Sequence, residues 1–425
     1  MSVIERRLRR AALLQRLGPG VITGAADDDP SGIATYSQAG AAFGFQLLWT
    51  MVLTFPLMAA VQGVCARIGR VTGQGLAANL KEAFPGPWAG LVVGLLFIAN
   101  AINIGADLAA MGEAAQLVLG WGDGAWHALA FAVISLLLQV FVPYHRYVRV
   151  LKWLTLALFA YVGVVLVVKV DWPQVLGHMV TVQVPPTAEA LTMIVAVFGT
   201  TISPYLFFWQ SSQEVEEILG HPEQAPLLQR PEQAQDQLSR IRLDTYVGMA
   251  FSNLIALAIM ISTAVTLHAH GVTNIQTAAQ AAQALRPVAG PLAFALFALG
   301  IIGTGLLAVP VLAGSAAYAL AEAQGWRFGL ELKPAQAAGF YAMIGASVLV
   351  GAILDFSPID PIQALFWSAV INGVIAAPIM AVMMLVASSR KQMGPFTATT
   401  GQKILGWLAT AIMAAAATAM IVFAA

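Results

Sequence analysis

The sequence predicts an all-α integral membrane fold: eleven spans, arranged as two related five-helix halves with one helix appended. Three observations carry this. The 425-residue chain is 59% apolar by side chain and 10% charged, with a mean hydropathy of +0.78, whereas a water-facing globule carries about 25% charged residues. Uncharged stretches of about 20 residues, the length that crosses roughly 30 Å of hydrocarbon, recur along the whole chain. Two of them, five spans apart, carry the same kind of interruption.

The same composition excludes other classes. The 21 basic and 21 acidic residues cancel, and no basic cluster lies outside loops, which argues against nucleic acid as a partner. The single cysteine, Cys65, cannot form an internal disulfide, a zinc finger or an iron–sulfur cluster. No ATP-binding loop, catalytic-triad pattern or soluble domain is visible, so neither an enzyme nor a bound cofactor is expected.

In chain order, the first span covers about 18–43, with Asp27, Asp28 and Asp29 in its middle. Uncharged stretches near 46–66, 83–106, 128–144, 153–168, 190–213 and 245–267 supply the second to seventh spans. The Gly- and Pro-containing run 287–321 reads as one long eighth span with extended ends, and spans nine to eleven follow near 334–354, 361–389 and 404–425. The chain is thus one transmembrane domain, with repeat one at about 18–170, repeat two at about 188–389 and the extra helix at about 404–425. The Gln- and Glu-rich segment 214–243 is expected to be a cytoplasmic loop, with Glu214, Glu216 and Glu217 on a solvated face.

Orientation follows from the loops. With the N-terminus inside, all 21 Lys and Arg residues except Lys169 and Arg286 fall on the cytoplasmic side, as positive-inside sorting demands. Arg6, Arg7, Arg9, Arg10, Arg16, Arg149 and Lys152 are among them. The C-terminus is then outside. No cleavable signal peptide is expected, because MSVIERRLRR leads into an acidic span and not into an apolar core. A multi-pass protein of a bacterial inner or plasma membrane fits these features.

The first span reads GPGVITGAADDDPSGIATYSQAGAAFGF. Pro30 removes a backbone donor and clashes with the preceding turn, while Gly32 adds freedom, so the helix should break around 28–32. The sixth reads AVFGTTISPYLFFWQSSQ, with Gly199, Thr200, Thr201, Ser203 and Pro204 near its centre. Unwound backbone at that depth is tolerated only where it is buried in protein or faces a wet cavity. Paired breaks at matching positions of two halves point to a transporter site on inverted repeats. A carboxylate at the bilayer centre costs on the order of 3 kcal/mol or more, so three beside a break argue for ion, proton or substrate chemistry.

These residues resemble the Nramp family of divalent-metal transporters. The likeness begins at GPG (18–20), runs through DPSGIATYSQAGAAFGFQLLW and CARIGRVTGQGLA, and continues in ADLAAMGEA, the interrupted sixth span and IRLDTYVGMAFSN. It implies a LeuT-like fold of five plus five inverted helices with an eleventh appended, helices one and six being interrupted. It also implies a site. The family's first-helix D-P-G-N becomes D-P-S-G, retaining Asp29 and placing Gly32 where Asn ligates. The sixth-helix Met falls on Ser203, the carbonyl that binds metal on Thr200, and the proton-linked His on Tyr205. The tenth-helix Gln falls on Ala369, with Asn372 one turn on as a substitute polar contact. On the third helix Asp107 matches the family's Asp, and Ala110 its Glu, with Glu113 one turn further.

The departures share a direction. Thioether sulfur favours soft transition metals, oxygen favours Mg²⁺, Ca²⁺ and Mn²⁺, and Mg²⁺ keeps part of its water shell. Ser203 for Met, and Gly32 for Asn with room for water, therefore point to a harder or more hydrated cation such as Mn²⁺ or Mg²⁺. It would be held by Asp29, Ser203 and Thr200, with Asp28 or Asp27 as a second carboxylate beside Gly32. Asp107, Tyr205 and Asn372 are candidates for an ion or proton route; Asp107 reads equally as a buried carboxylate bonded to neighbouring helices. The six histidines lie at helix ends or loops, so a histidine relay has no candidate, and a coupling proton stays open as a partner. The expected function is secondary active transport of a divalent metal, the metal being substrate and not cofactor. The alternative is a small non-metal solute carried on the same fold, which does not by itself fix function.

Overall fold

The computed structural model describes residues 19–84, 87–142, 146, 153–354, 356 and 360–424. The basic segment 1–17, Gly18 at the start of the expected first span, the end of the fourth at 143–144, Arg149, Lys152 and Ala425 lie outside the described residues. Every regular element described is helical.

The first span is two helices, α1 (Pro19–Asp27) and α2 (Pro30–Phe43). Asp29 has extended backbone (φ −69°, ψ 171°) and caps α2 through its side chain, while Pro30 occupies a first-turn position where no amide is needed. The proline therefore opens a second helix instead of kinking one. Next come α3 (Trp49–Thr72), α4 (Leu76–Ala83), α5 (Trp88–Leu119) and α6 (Gly124–Phe141). The fifth span is bent: Leu156–Val167, whose α-helical part is α7 (Phe159–Val167), meets α8 (Trp172–Val180) at 118°.

The sixth span repeats the device of the first. Helix α9 (Ala188–Thr201) ends before Ile202 and Ser203, and α10 (Pro204–Gly220) starts on a proline after the extended Ser203. Then follow α11 (Ala234–Thr266), α12 (Ala293–Gln324), α13 (Ala338–Leu354), α14 (Pro361–Ser388) and α15 (Thr400–Ala424). Among the described residues, eight helical segments are long and apolar enough to cross a membrane. The other expected spans are the interrupted first, the bent fifth and the 17-residue α13. Leu166, Phe141 and Trp126 stay exposed on the outer surface, as lipid-facing side chains do. The chain is an integral, multi-pass membrane protein.

Several helices extend past their expected ends. The third span runs through Asp107 to Leu119, and the seventh begins at Ala234. The segment 214–243 is accordingly no loop throughout: 214–220 complete α10, and α11 already begins at Ala234. Two of its acids do not lie on a solvated face either, while Glu217 stays partly exposed. Glu214 is fully buried and ion-paired with Arg240. Glu216 accepts from the Tyr318 hydroxyl and from the Leu330 amide at 2.9 Å. Charge ended these spans in the sequence reading, but a charge that finds its partner on a neighbouring helix lets the helix continue.

Helix α11 lies along both halves of the broken first span. A Cβ on Gly24 would sit 2.3 Å from the Gly248 carbonyl oxygen, so only glycine permits that crossing. The Asp244 carboxylate accepts from the amides of Gly20 at 2.7 Å and Val21 at 3.2 Å, satisfying the open end of α1. Helices α5 and α12 are joined by Asn100, whose Nδ2 donates to Leu312 O and Ser315 Oγ, both at 2.8 Å. This frame fixes the two breaks in the middle of the bundle.

Candidate functional site

The three aspartates fall at the first break, and all are 2% exposed or less. Asp29 is the best connected. Its Oδ1 accepts from the Gly32 amide at 2.7 Å, because the capping position turns the carboxylate over the start of α2. Its Oδ2 accepts from Asn103 Nδ2 of α5 at 3.2 Å and from the Tyr205 hydroxyl of α10 at 3.3 Å. The Tyr205 hydroxyl also reaches the Ala26 carbonyl at 3.1 Å. Its single proton therefore chooses between the end of α1 and the carboxylate.

Asp27 and Asp28 point elsewhere. Both approach Ser252 Oγ of α11, at 2.6 Å from Asp27 Oδ2 and 3.2 Å from Asp28 Oδ1. One hydroxyl proton cannot serve both carboxyl groups. The Asp28 side chain thus faces α11, away from the bonds that Asp29 makes to α5 and α10.

At the second break, Ser203 Oγ lies 2.8 Å from the carbonyls of both Gly199 and Thr200, and its one proton bonds to either. That bond leaves the hydroxyl's lone pairs outside the pairing. The Thr200 side chain meets Gly32: a Cβ there would be 3.2 Å from Thr200 Oγ1, 3.3 Å from Asp27 O and 3.4 Å from a Tyr36 ring carbon. Gly32 therefore leaves no open room for water in this arrangement, contrary to the sequence expectation, because side chains of α2 and α9 close over it. Tyr36 and Thr201 share a hydroxyl–hydroxyl bond of 2.9 Å that ties those two helices. Thr23 Oγ1 and Gln210 Oε1, 2.5 Å apart, tie α1 to α10.

The remaining candidates separate. Asp107 is fully buried one turn beyond Asn103 on α5. Asn372 is buried on α14, its Oδ1 without a hydrogen-bond partner, and no described bond joins it to Asp29. The α14 residue that does connect is Ser368, whose Oγ donates to Asn103 Oδ1 at 2.7 Å. Ser368 thereby extends the chain Asp29–Asn103–Ser368 to Ser31, at 3.4 Å. Ala369 itself packs its carbonyl against Gly199, where a Cβ would stand 2.1 Å away. Among the described residues no group of three or more His, Cys, Asp or Glu could hold a metal.

Sequence reasoning missed Ser368, Ser252 and Asp244. Ser368 stands next to the position that matched the family's Gln, which was the available signal. Ser252 and Asp244 lie within the IRLDTYVGMAFSN resemblance but carry no spacing that names their partners.

Residues 20–423 match the family described as natural resistance-associated macrophage protein-like. The chain belongs to the Nramp family. That is a family of transporters, not enzymes, as expected from the sequence. Relatives include the divalent metal cation transporter MntH of Klebsiella pneumoniae (strain 342), 26% identical over 420 residues, covering 96% of this chain and 94% of that protein. The divalent metal cation transporter MntH of Burkholderia ambifaria is 30% identical over 311 residues, 71% of this chain and 66% of its own length. In fold the Nramp chain is similar to the Eremococcus coleocola manganese transporter, with a TM-score of 0.71 at 17% identity, covering 95% of this chain and 85% of that one. It is also similar to Mhp1, a nucleobase-cation-symport-1 family transporter, with a TM-score of 0.58 at 15% identity and coverage of 96% and 93%. The fold is the LeuT-like one with helices one and six interrupted.

Proposed function

We propose that this Nramp protein is a secondary transporter of divalent metal cations whose site favours harder, more hydrated ions such as Mn²⁺ or Mg²⁺. The observation that carries the reading is the convergence on Asp29: its carboxylate, at the first helix break, is held by groups from α2, α5 and α10, the last of which opens at the second break. Asp29 supplies the charge, the Thr200 carbonyl and the Ser203 hydroxyl supply neutral oxygens, and the family's thioether sulfur is replaced by oxygen. Ser203 can keep its proton on the Thr200 carbonyl while its lone pairs turn to a cation. Gly32, closed off here, gains space for water only when α2 and α9 part.

On this reading the two halves, about 18–170 and 188–389, rock against each other in alternating access, with 404–425 appended. The N-terminus is cytoplasmic and the C-terminus outside. Breaking the Tyr36–Thr201 contact opens the site along α2 and α9, and breaking Thr23–Gln210 opens it along α1 and α10.

Uptake in proteoliposomes tests this. Mn²⁺ and Mg²⁺ should be transported and should compete with each other, while strong Cd²⁺ uptake with no competition by either overturns the hard-site reading. A small non-metal solute requires a cavity of its own size beside Asp29, where Tyr36, Thr200 and the Asp27 backbone now stand. Repeating the assay with and without a pH gradient decides whether a proton is coupled.

A further inference from the structure

A second built site lies away from the helix breaks. A cavity of about 540 Å³ opens between the end of α3, the start of α11 and the start of α15. Arg67 and Arg242 line it, and no acidic residue does. Arg67 is only lightly engaged: its Nη1 donates to the Phe396 carbonyl at 3.4 Å, and its Nε is buried with no hydrogen-bond partner. Two long helices begin at the cavity wall, α11 at Ala234 and α15 beside Gly401. The positive ends of both helix dipoles add to the two guanidinium charges. The site is therefore electropositive from four sources.

Its other wall is apolar, made by Ala59, Ala60 and Leu405. Arg67 lies five residues before the end of α3, and the polar first turns of α11 precede its apolar body, so the cavity sits where the helices leave the lipid. A soluble anion needs the charges but not the apolar wall. A lipid headgroup uses both, its phosphate on the arginines and its glycerol and chain roots on the alanines and leucine. Basic pockets between transmembrane helices at this level recognise anionic headgroups, and guanidinium pairs phosphate with two parallel bonds.

We propose that this cavity binds the phosphate-bearing headgroup of an anionic membrane lipid. The test uses the purified, delipidated full chain, titrated with phosphatidylglycerol, phosphatidylcholine or inorganic phosphate. Bound lipid is read by native mass spectrometry and its effect by thermal unfolding. Phosphatidylglycerol should be retained and should raise the unfolding temperature by several degrees, as a ligand of the folded state does, while phosphatidylcholine should do neither. Arg242→Gln should reduce phosphatidylglycerol retention at least fivefold and Arg67→Gln more, whereas Arg327→Gln, on an exposed basic residue elsewhere, should leave it unchanged. Should Arg67→Gln fail to fold, the exposed Arg242 decides alone. Equal retention of the two lipids, or retention unaffected by Arg242→Gln, overturns the proposal. Complete displacement of phosphatidylglycerol by inorganic phosphate also overturns it and assigns the cavity to a soluble anion.

Discussion

Asn103 holds the outer oxygen of Asp29, and removing it isolates what that support is worth. Asn103 is fully buried, with Nδ2 3.2 Å from Asp29 Oδ2 and Oδ1 accepting from Ser368 Oγ at 2.7 Å. A hydrogen bond to a charged group contributes about 1.5–3 kcal/mol. The strongest charge-assisted bonds run about 2.7–2.9 Å, so this longer one belongs near the lower end, about 1.5 kcal/mol. At about 1.4 kcal/mol per factor of ten, its loss weakens cation binding roughly tenfold. Asn103→Ala should therefore raise KM for Mn²⁺ uptake in proteoliposomes about tenfold, with the maximal rate changing less than KM. Ser368→Ala removes the neutral bond behind Asn103 and should cost less, about fivefold, because such a bond contributes about 1 kcal/mol. If Asn103→Ala leaves KM within twofold of the parent while Asp29→Ala abolishes uptake, the carboxylate is not positioned by α5.

Further outcomes follow from the same geometry. Ser203→Met restores a soft ligand at the second break and should shift competition toward Cd²⁺ at the expense of Mg²⁺, read as inhibition constants in the uptake assay. Gly24→Ala drives a Cβ to within 2.3 Å of backbone on Gly248 and should destabilise by about 1–3 kcal/mol through overpacking. Gly90→Ala, where a Cβ meets nothing within 4 Å, should leave the unfolding temperature unchanged or slightly higher. Asp244→Ala strips two amides of their acceptor and should cost about 1–2 kcal/mol, seen as hydrogen exchange at Gly20 and Val21 at least tenfold faster.

The breaks were legible because their cause is local. Asp29–Pro30 and Ser203–Pro204 each pair a capping residue with a proline, and both halves open a new helix at that proline. Long apolar runs likewise placed the spans. What could not be read is cross-helix pairing. Asp107, Glu214 and Asp244 bounded the expected spans because a charge in sequence shows its cost and not its partner. Asn103 and Ser368 are distant in sequence and meet only because α14 and α5 pack on the first break. The space at Gly32 was misjudged for the same reason: a missing side chain shows in the sequence, while the neighbours that fill its place do not.

The central claim is that Asp29 binds the permeating cation. Calorimetric titration of Mn²⁺ and of Mg²⁺ into the purified protein and into Asp29→Ala, both verified as folded by thermal unfolding, tests it most directly. The account predicts saturable heat with one ion per chain for the parent and none for the variant. Undiminished binding by Asp29→Ala would contradict it.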